Sequence, residues 1–343
     1  MTVILGLESS CDDSAVALVT ADRRILAEAV VGQSSAHQPF GGVVPEIAAR
    51  AHVEILPELI RRVLEEAQLS LRDVDAIAAT AGPGLIGGVM VALLAGKGIA
   101  LAAGKPLIAV NHLEGHALSP RLVDPELAFP YVLLLVSGGH CQLLEVRGIG
   151  DYRRLATTID DAAGEAFDKA AKLLGPPYPG GPAIEELAQA GDASAVPLPR
   201  PLAGSREPHF SFAGLKSAVQ RAVAAGSHRR EDIAASFQQA VVDCLLDRTA
   251  VALGRSDAPA LVVAGGVAAN RVIRDALGDL ARRTGRCFSV PPAWLCTDNA
   301  AMIAWAGAER FAAGLTDPLS APARARWPLD PEAEKVRGAG VKA

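Results

Sequence analysis

The sequence predicts an α/β protein built from a duplicated lobe. Three observations carry this. The chain has 343 residues, too many for one ordinary core and enough for two. Apolar residues make up 50% of it, which suffices to fill both cores. A run of strand, turn, strand, turn, strand occurs twice, about half a chain apart.

In the first copy, residues 3–7 read as a buried strand, 8–14 as a polar turn, 15–20 as a returning strand and 25–31 as a third. In the second, Tyr131 to Val136 is an apolar strand, Ser137 to His140 a tight turn and Gln142 to Val146 the return, with Tyr152 to Leu155 beyond a further turn. Helices are predicted at 45–67, with Pro57 as a kink, and at 162–174, 230–253 and 299–313, by apolar residues at helical spacing. Strands are predicted at 75–80, 107–110 and 260–264, and a rigid loop at 176–182. The lobe boundaries expected from this reading are 1–111 for the first, completed by a C-terminal helix at 296–328, and 112–295 for the second. Residues 329–343 turn polar and small, as in a frayed tail.

Residues 85–104 are nearly all apolar, with Lys97 as the only charge. A membrane helix needs about 20 such residues. Glycines at 87, 88, 96, 98 and 104 interrupt this one and a strand follows, so a helix buried beside a sheet is expected and no membrane partner. The five cysteines, Cys11, Cys141, Cys244, Cys287 and Cys296, form no C-x-x-C pair and read as reduced thiols of the cytoplasm. The first six residues lack the basic segment of a signal peptide. Lys and Arg total 33 against 38 Asp and Glu, for a net charge of −5. Unaided nucleic-acid binders carry a basic surplus, so RNA contact must come from a local patch or a partner. Candidate patches are Arg147 to Arg154, Arg229-Arg230 and Arg282-Arg283, each equally a solvated face. Aromatic residues, at 4%, leave few stacking platforms.

Four groups of residues carry chemistry. His112 and His116 lie four apart, on one face of a helix, as two ligands of one metal require. A metallopeptidase would place glutamate directly after the first histidine; Leu113 stands there and Glu114 falls on another face. Asp298 precedes a helix and is a third ligand or an N-cap. The loops Leu135-Val136-Ser137-Gly138-Gly139 and Gly265-Gly266 each follow an apolar strand, where backbone N–H groups can meet phosphate or ribose. Neither a P-loop nor a Rossmann fingerprint is present. Asp160 and Asp161 crowd the start of a helix and suit its dipole, while Asp168, deeper in, is a candidate for ribose hydroxyls. Asn270 is a base or ribose contact or a simple cap.

Ten blocks in order, ESSCDDSAVAL (8–18), HQPFGGVVPEIAARAH (37–52), GPGLIGG (82–88), NHLEGH (111–116), LVSGGH (135–140), DDAAGEAFDKAAKLLG (160–175), YPGGP (178–182), FSFAGLKSAV (210–219), AGGVAANRVIR (264–274) and CTDNAAMIA (296–304), span nearly the whole chain. Together they resemble the TsaD family of tRNA threonylcarbamoyladenosine transferases, bacterial branch. Phe40 stands where that family commonly has Tyr, and Gly88 where Ser is frequent. The resemblance implies the duplicated actin/hexokinase/Hsp70-like fold. It implies one divalent ion, Fe2+ or Zn2+, on His112, His116 and Asp298, and threonylcarbamoyl-AMP held by the 135–139 loop, Asp168, Gly181 and Asn270. ATP, ADP or AMP are further ligands of such a site, and Glu8, Ser10, Gly265 and Gly266 further candidates to line it. The acceptor is the adenosine beside the anticodon, position 37, in tRNAs that read codons beginning with adenine. The implied partners are TsaB, a paralogue without the metal motif, and TsaE, an ATPase. Asp12 in the first turn is a candidate for proton removal or a plain turn residue. A small-molecule kinase of the same fold is the rival enzyme class, though it gives no reason for the histidine pair. A non-catalytic pairing subunit gives none for the third ligand.

Overall fold

Both predicted triple-strand repeats seed a sheet, and each sheet adds two parallel strands in the same places. In the computed structural model, which describes residues 1–40, 42–177, 179–334 and 336, the chain divides into two units. The first begins β1 (Val3–Glu8), β2 (Asp13–Thr20), β3 (Ile25–Gly32), α1 (Ser34–His37), α2 (Pro45–Glu66), β4 (Ala76–Gly82), α3 (Ile86–Ala103), β5 (Leu107–Asn111) and α4 (His112–Val123). The second holds β6 (Tyr131–Val136), β7 (Cys141–Gly148), β8 (Asp151–Thr157), α5 (Ala163–Leu174), α6 (Gly180–Ala188), α7 (Ala213–Ala225), α8 (Arg230–Leu253), β9 (Ala260–Ala264), α9 (Arg271–Arg283), β10 (Cys287–Ser289) and α10 (Ala293–Cys296). The chain then returns to the first unit with α11 (Ala300–Ala312).

One sheet runs β3-β2-β1-β4-β5, the other β8-β7-β6-β9-β10. In each, the central strand pairs antiparallel with its hairpin partner (Leu5 opposite Leu18, Leu134 opposite Leu143) and parallel with a later strand (Leu5 opposite Ile77, Leu134 opposite Val263). Identical order and direction in both sheets is the duplication anticipated from the hairpins.

Alternation along β1 divides its side chains between two layers. Leu5 and Leu7 join Val16, Leu18, Leu56, Leu59 and Leu93 in a core under α2 and α3. Gly6, between them, faces α11. A methyl placed on Gly6 would stand 2.6 Å from the Ala300 carbonyl oxygen and the Ala304 nitrogen. On Gly115 of α4 it would stand 2.8 Å from Ile303. Glycine therefore lets α11 lie directly on the sheet and on α4. In the second unit Phe167 of α5 and Phe237 of α8 meet edge to face at 5.2 Å beneath Val132, Leu134 and Val136.

The lobe boundary differs from the expected 111/112. The first unit runs to Glu126 and resumes at Thr297–Pro331, because α4 packs on α11. Most of the tail expected at 329–343 lies outside the described residues. Helix α2 runs unbroken through Pro57. Helix α3 is long and apolar enough to cross a membrane, by length and composition. It lays Gly88, Val89, Ala92, Leu93, Gly96 and Ala100 inward, but Met90, Leu94 and Leu101 stay exposed, so the buried-helix expectation holds for one face only. Helix α6 begins inside the predicted Pro/Gly loop, since proline is tolerated in a first turn. Helices α7 and α9 and strand β10 were not expected. The five cysteines are all free thiols.

Replacing Gly6 with Val would force α11 off the sheet. Overpacking of this kind costs about 2 kcal/mol. Denaturant titration of Gly6→Val should show a lower midpoint than wild type.

Candidate functional site

The first unit gathers a candidate metal centre from both ends of its sequence. Asn111 caps α4, its Oδ1 accepting the Leu113 N–H at 2.9 Å, so His112 is the first helical residue and His116 sits one turn on. Their rings meet edge to face at 4.8 Å. Asn299, not Asp298, caps α11 by accepting the Met302 N–H at 2.8 Å. That leaves Asp298 for the histidines. Its Oδ1 lies 3.1 Å from His116 Nε2 and 3.5 Å from His112 Nε2.

A carboxylate fixes the first ring. Glu8, fully buried at the end of β1, takes His112 Nδ1 at 3.0 Å on Oε2, and Ser10 Oγ stands 3.0 Å from the same nitrogen. A carboxylate only accepts, so Nδ1 carries a proton and Nε2, turned toward Asp298, is the nitrogen a cation would take once its own proton is lost. Glu8 is held in turn by the Ser10 N–H at 2.5 Å and the Thr80 hydroxyl at 2.6 Å. Thr80 was missed from the sequence, though it is the one polar side chain of the buried strand β4. Burial alone would depress the His112 pKa, but the carboxylates of Glu8 and Asp298 outweigh it and hold it well above the ordinary value. Burial would likewise raise Asp298, yet His112 and His116 hold it well below the usual carboxylate range.

These residues fit a cation. Two Nε2 atoms and a carboxylate oxygen lie within 4.8 Å of one another. Nδ1 of His116 is buried with no hydrogen-bond partner, so that ring is anchored only from the side facing Asp298. Two imidazoles and one carboxylate, with positions left open, suit iron or zinc. Glu114 points the other way and pairs with Arg310 at 3.1 Å, which removes it as the base of a metallopeptidase.

The first turn holds a further carboxyl. Asp12 is partly exposed, and its carbonyl accepts the Gln33 N–H at 3.0 Å. Its neighbour Asp13 stands at the start of β2. Burial pushes its pKa up to about 7, helped by the carboxylates of Asp298, Asp12 and Glu8. Two adjacent aspartates carry no signal in sequence to separate them; the strand register does.

The second unit gathers the glycine loops. They leave the C-terminal ends of the parallel neighbours β6 and β9, where such sheets bind ligands. Gly265, at φ +94°, presses so closely on the first loop that a methyl would stand 2.4 Å from the Val136 oxygen. Leu135 and Val136 are wholly buried, so only their backbones can serve a ligand. Ser137 closes the turn: its N–H donates to the His140 carbonyl at 2.8 Å and its hydroxyl accepts the His140 N–H at 3.1 Å. Space is open beside Gly138, Gly139, Gly181 and Gly266.

Helix α5 lines these pieces up. Gly164 rests on Ser137 and Gly138, and Asp168, one turn along the same face, accepts the Gly180 N–H at 2.8 Å on Oδ1. Gly181 thus sits beside Asp168 in the first turn of α6. Asn270 is committed to structure: Oδ1 caps α9 through the Ile273 N–H at 3.0 Å and Nδ2 donates to Gln238 at 2.9 Å. A ligand would find there only the second lone pair and second hydrogen of that amide. Asp160 serves α7 rather than its own helix, accepting from the N–H groups of Phe212 and Ala213 at 2.8 and 3.3 Å.

Duplicated sheets of this order, with glycine loops on one unit and a histidine–aspartate cluster on the other, define an actin/hexokinase-like protein equipped for a metal ion. Solved structures share the fold. HypF of T. kodakarensis aligns over 91% of this chain and 48% of its own at TM-score 0.62 and 14% identity. Component A of the (R)-2-hydroxyglutaryl-CoA dehydratase of Acidaminococcus fermentans aligns over 91% and 100% at TM-score 0.55 and 18% identity. The family model for TsaD, tRNA N6-adenosine threonylcarbamoyltransferase, matches residues 24–305, and the chain belongs to that family. Relatives bearing that name are 74% identical in Sphingopyxis alaskensis and 68% in Erythrobacter litoralis, each over 100% of both chains. One in Zymomonas mobilis is 63% identical over 100% of this chain and 96% of its own.

Glu8→Gln should weaken metal binding about 10- to 100-fold, as loss of such a supporting carboxylate does, read by calorimetry with circular dichroism unchanged. A cation on Nε2 must also displace the proton that Glu8 and Asp298 stabilise on His112. Affinity should therefore rise with pH, with proton release, until the imidazolium is gone; a flat profile from pH 6 to 9 would remove His112 as a ligand.

Proposed function

We propose that the chain transfers the threonylcarbamoyl group of threonylcarbamoyl-AMP to the exocyclic amine of adenosine 37, in tRNAs reading codons that begin with adenine. The observation that carries this is the convergence of His112, His116 and Asp298 in a chain of this family. The amine nitrogen bonds to the carbamoyl carbon, the bond from that carbon to the phosphate oxygen breaks, AMP leaves, and the amine gives up one proton. Adenosine's amine is a poor nucleophile, so the chain must position it and stabilise charge on the carbonyl and the departing phosphate. Fe2+ or Zn2+ on His112, His116 and Asp298 would supply Lewis-acid polarisation.

The chain's own residues supply the rest. N–H groups of Gly138, Gly139 and Gly181, the last at a helix start, meet the phosphate together with the Ser137 hydroxyl. Asp168 accepts from the ribose, and AMP, ADP or ATP would lodge on the same groups. Asp13 joins Asp12 as a candidate to take the proton, because a base is most effective with its pKa near the working pH. TsaB and TsaE are the partners we expect, in the cytoplasm. We place TsaB on the groove of about 880 Å³ between α2 and α3, where Val53, Met90 and Leu94 leave an apolar surface exposed beside Pro57 and Ile60.

The test supplies TsaB, TsaE and the adylate-forming step with unmodified tRNA, labelled threonine, bicarbonate and ATP. Wild type should label the tRNA and His116→Ala should not, with its fold intact; absence of label in wild type, with active partners, would move a kinase of this fold to the front. Asp13→Asn should cut the transfer rate about 100-fold. In wild type that rate should climb as pH passes about 7, when the carboxyl loses its proton, and the variant should lose this limb.

A further inference from the structure

The chain is acidic overall, yet residues 208–230 contain Lys216, Arg221, Arg229 and Arg230 and no acid. Helix α7 occupies the middle of this stretch. It buries Leu215, Ala218 and Val219 and exposes Gly214, Ser217, Gln220 and Arg221, with Lys216 half-buried at the margin. Acids on the elements packed against it are all engaged elsewhere. On the α5 side, Asp161 and Glu165 hold Lys169 at 2.7 and 2.8 Å, Asp168 holds Gly180, and Asp160 is spent on the start of α7 itself. On α8, Glu231 faces Arg229 at 3.4 Å, Asp232 accepts the Asp192 N–H, Asp243 holds Arg200 at 2.8 Å, and Asp247 holds the buried Arg248. Lys216 and Arg221 make no ion pair among the described residues. Lys172, in the last turn of α5, is exposed, and Arg230 reaches Gly175 at the end of that helix, extending the same sign.

The other arginine segments singled out from the sequence are in part engaged. Arg147 and Arg153 share Glu145 at 2.8 and 3.1 Å, Arg154 donates to the Glu334 carbonyl, and Arg282 pairs with Asp279 at 2.9 Å. On α7, both cations are without an acidic partner among the described residues. The position of this helix is also informative. Asp160 ties the start of α7 to the start of α5, and α5 rests through Gly164 on the Ser137-Gly138 loop. A polyanion lying along α7 is thereby led toward the glycine loops of the same unit.

We infer that the exposed face of α7, with Lys216 and Arg221 at its centre and Lys172 and Arg230 at its margin, binds the RNA phosphate backbone. This rests on the functional reading above and adds the surface that holds the acceptor. Phosphate contacts fix register without reading sequence, which suits the task of presenting one adenosine to a reacting centre. The test titrates the full chain, with its partners supplied, with unmodified tRNA across a KCl series. Lys216→Glu/Arg221→Glu should weaken binding at least tenfold and make the salt slope shallower by about 1.5, two contacts at roughly 0.7–0.9 each. Binding of AMP, read separately, should be unchanged, which a misfolded unit would not allow. The charge-keeping pair Lys216→Arg/Arg221→Lys should bind as wild type does. Equal affinity and slope in wild type and the glutamate variant would overturn the surface alone. Wild type that binds no tRNA would overturn the functional reading together with it.

Discussion

Helix α11 lies on β1 without an intervening layer of side chains, and the candidate metal centre depends on that contact. Gly6 and Gly115 let it approach the sheet and α4 at once, and the residues just ahead of it then reach the histidines. Asp298 and His116 are 182 positions apart in sequence and 3.1 Å apart in space. A side chain at either glycine would press α11 away and disturb that approach. Around this contact the polar groups are paired outward in order: Asp298 toward both rings, Glu8 behind the first ring, Thr80 and the Ser10 N–H behind Glu8. Each partner restricts the next, which is how a buried set of charged groups keeps one arrangement.

The two units divide labour along chemical lines. The first concentrates negative groups, Glu8, Asp13 and Asp298, around two imidazoles, an environment that favours a cation and raises the affinity of a carboxyl for its proton. The second offers N–H groups and helix starts in its glycine loops, which favour anions. One fold copied within a chain has thus been given opposite electrostatic characters.

Much of this was legible in the sequence. Apolar strands bounded by polar turns located the hairpins, and their recurrence revealed the duplication. The four-residue spacing of His112 and His116 gave the metal face of α4. What lay hidden depends on distance in the chain or on local choice between like residues. No spacing rule connects Asp298 to His116, nor could it decide between Asp298 and Asn299 as the cap of α11. Asn270 looked as much like a ligand contact as a cap, and only the bonds to Ile273 and Gln238 show how little of the amide is left over. Asp12 and Asp13 differ by strand register alone. Helix α6 was concealed by prolines and glycines that a first turn accepts, and α7 by its short apolar stripe.

The return of α11 to the first unit also fixes an order of assembly on the ribosome. The strands and helices of the second unit, β6 to α10, are all made before Asp298 or α11. Until then the first sheet lacks the helix that covers Gly6, and His112 and His116 lack their carboxylate. A nascent chain interrupted between residues 270 and 297 therefore carries both glycine loops but no third ligand. The candidate metal centre therefore closes only after the second sheet has been made.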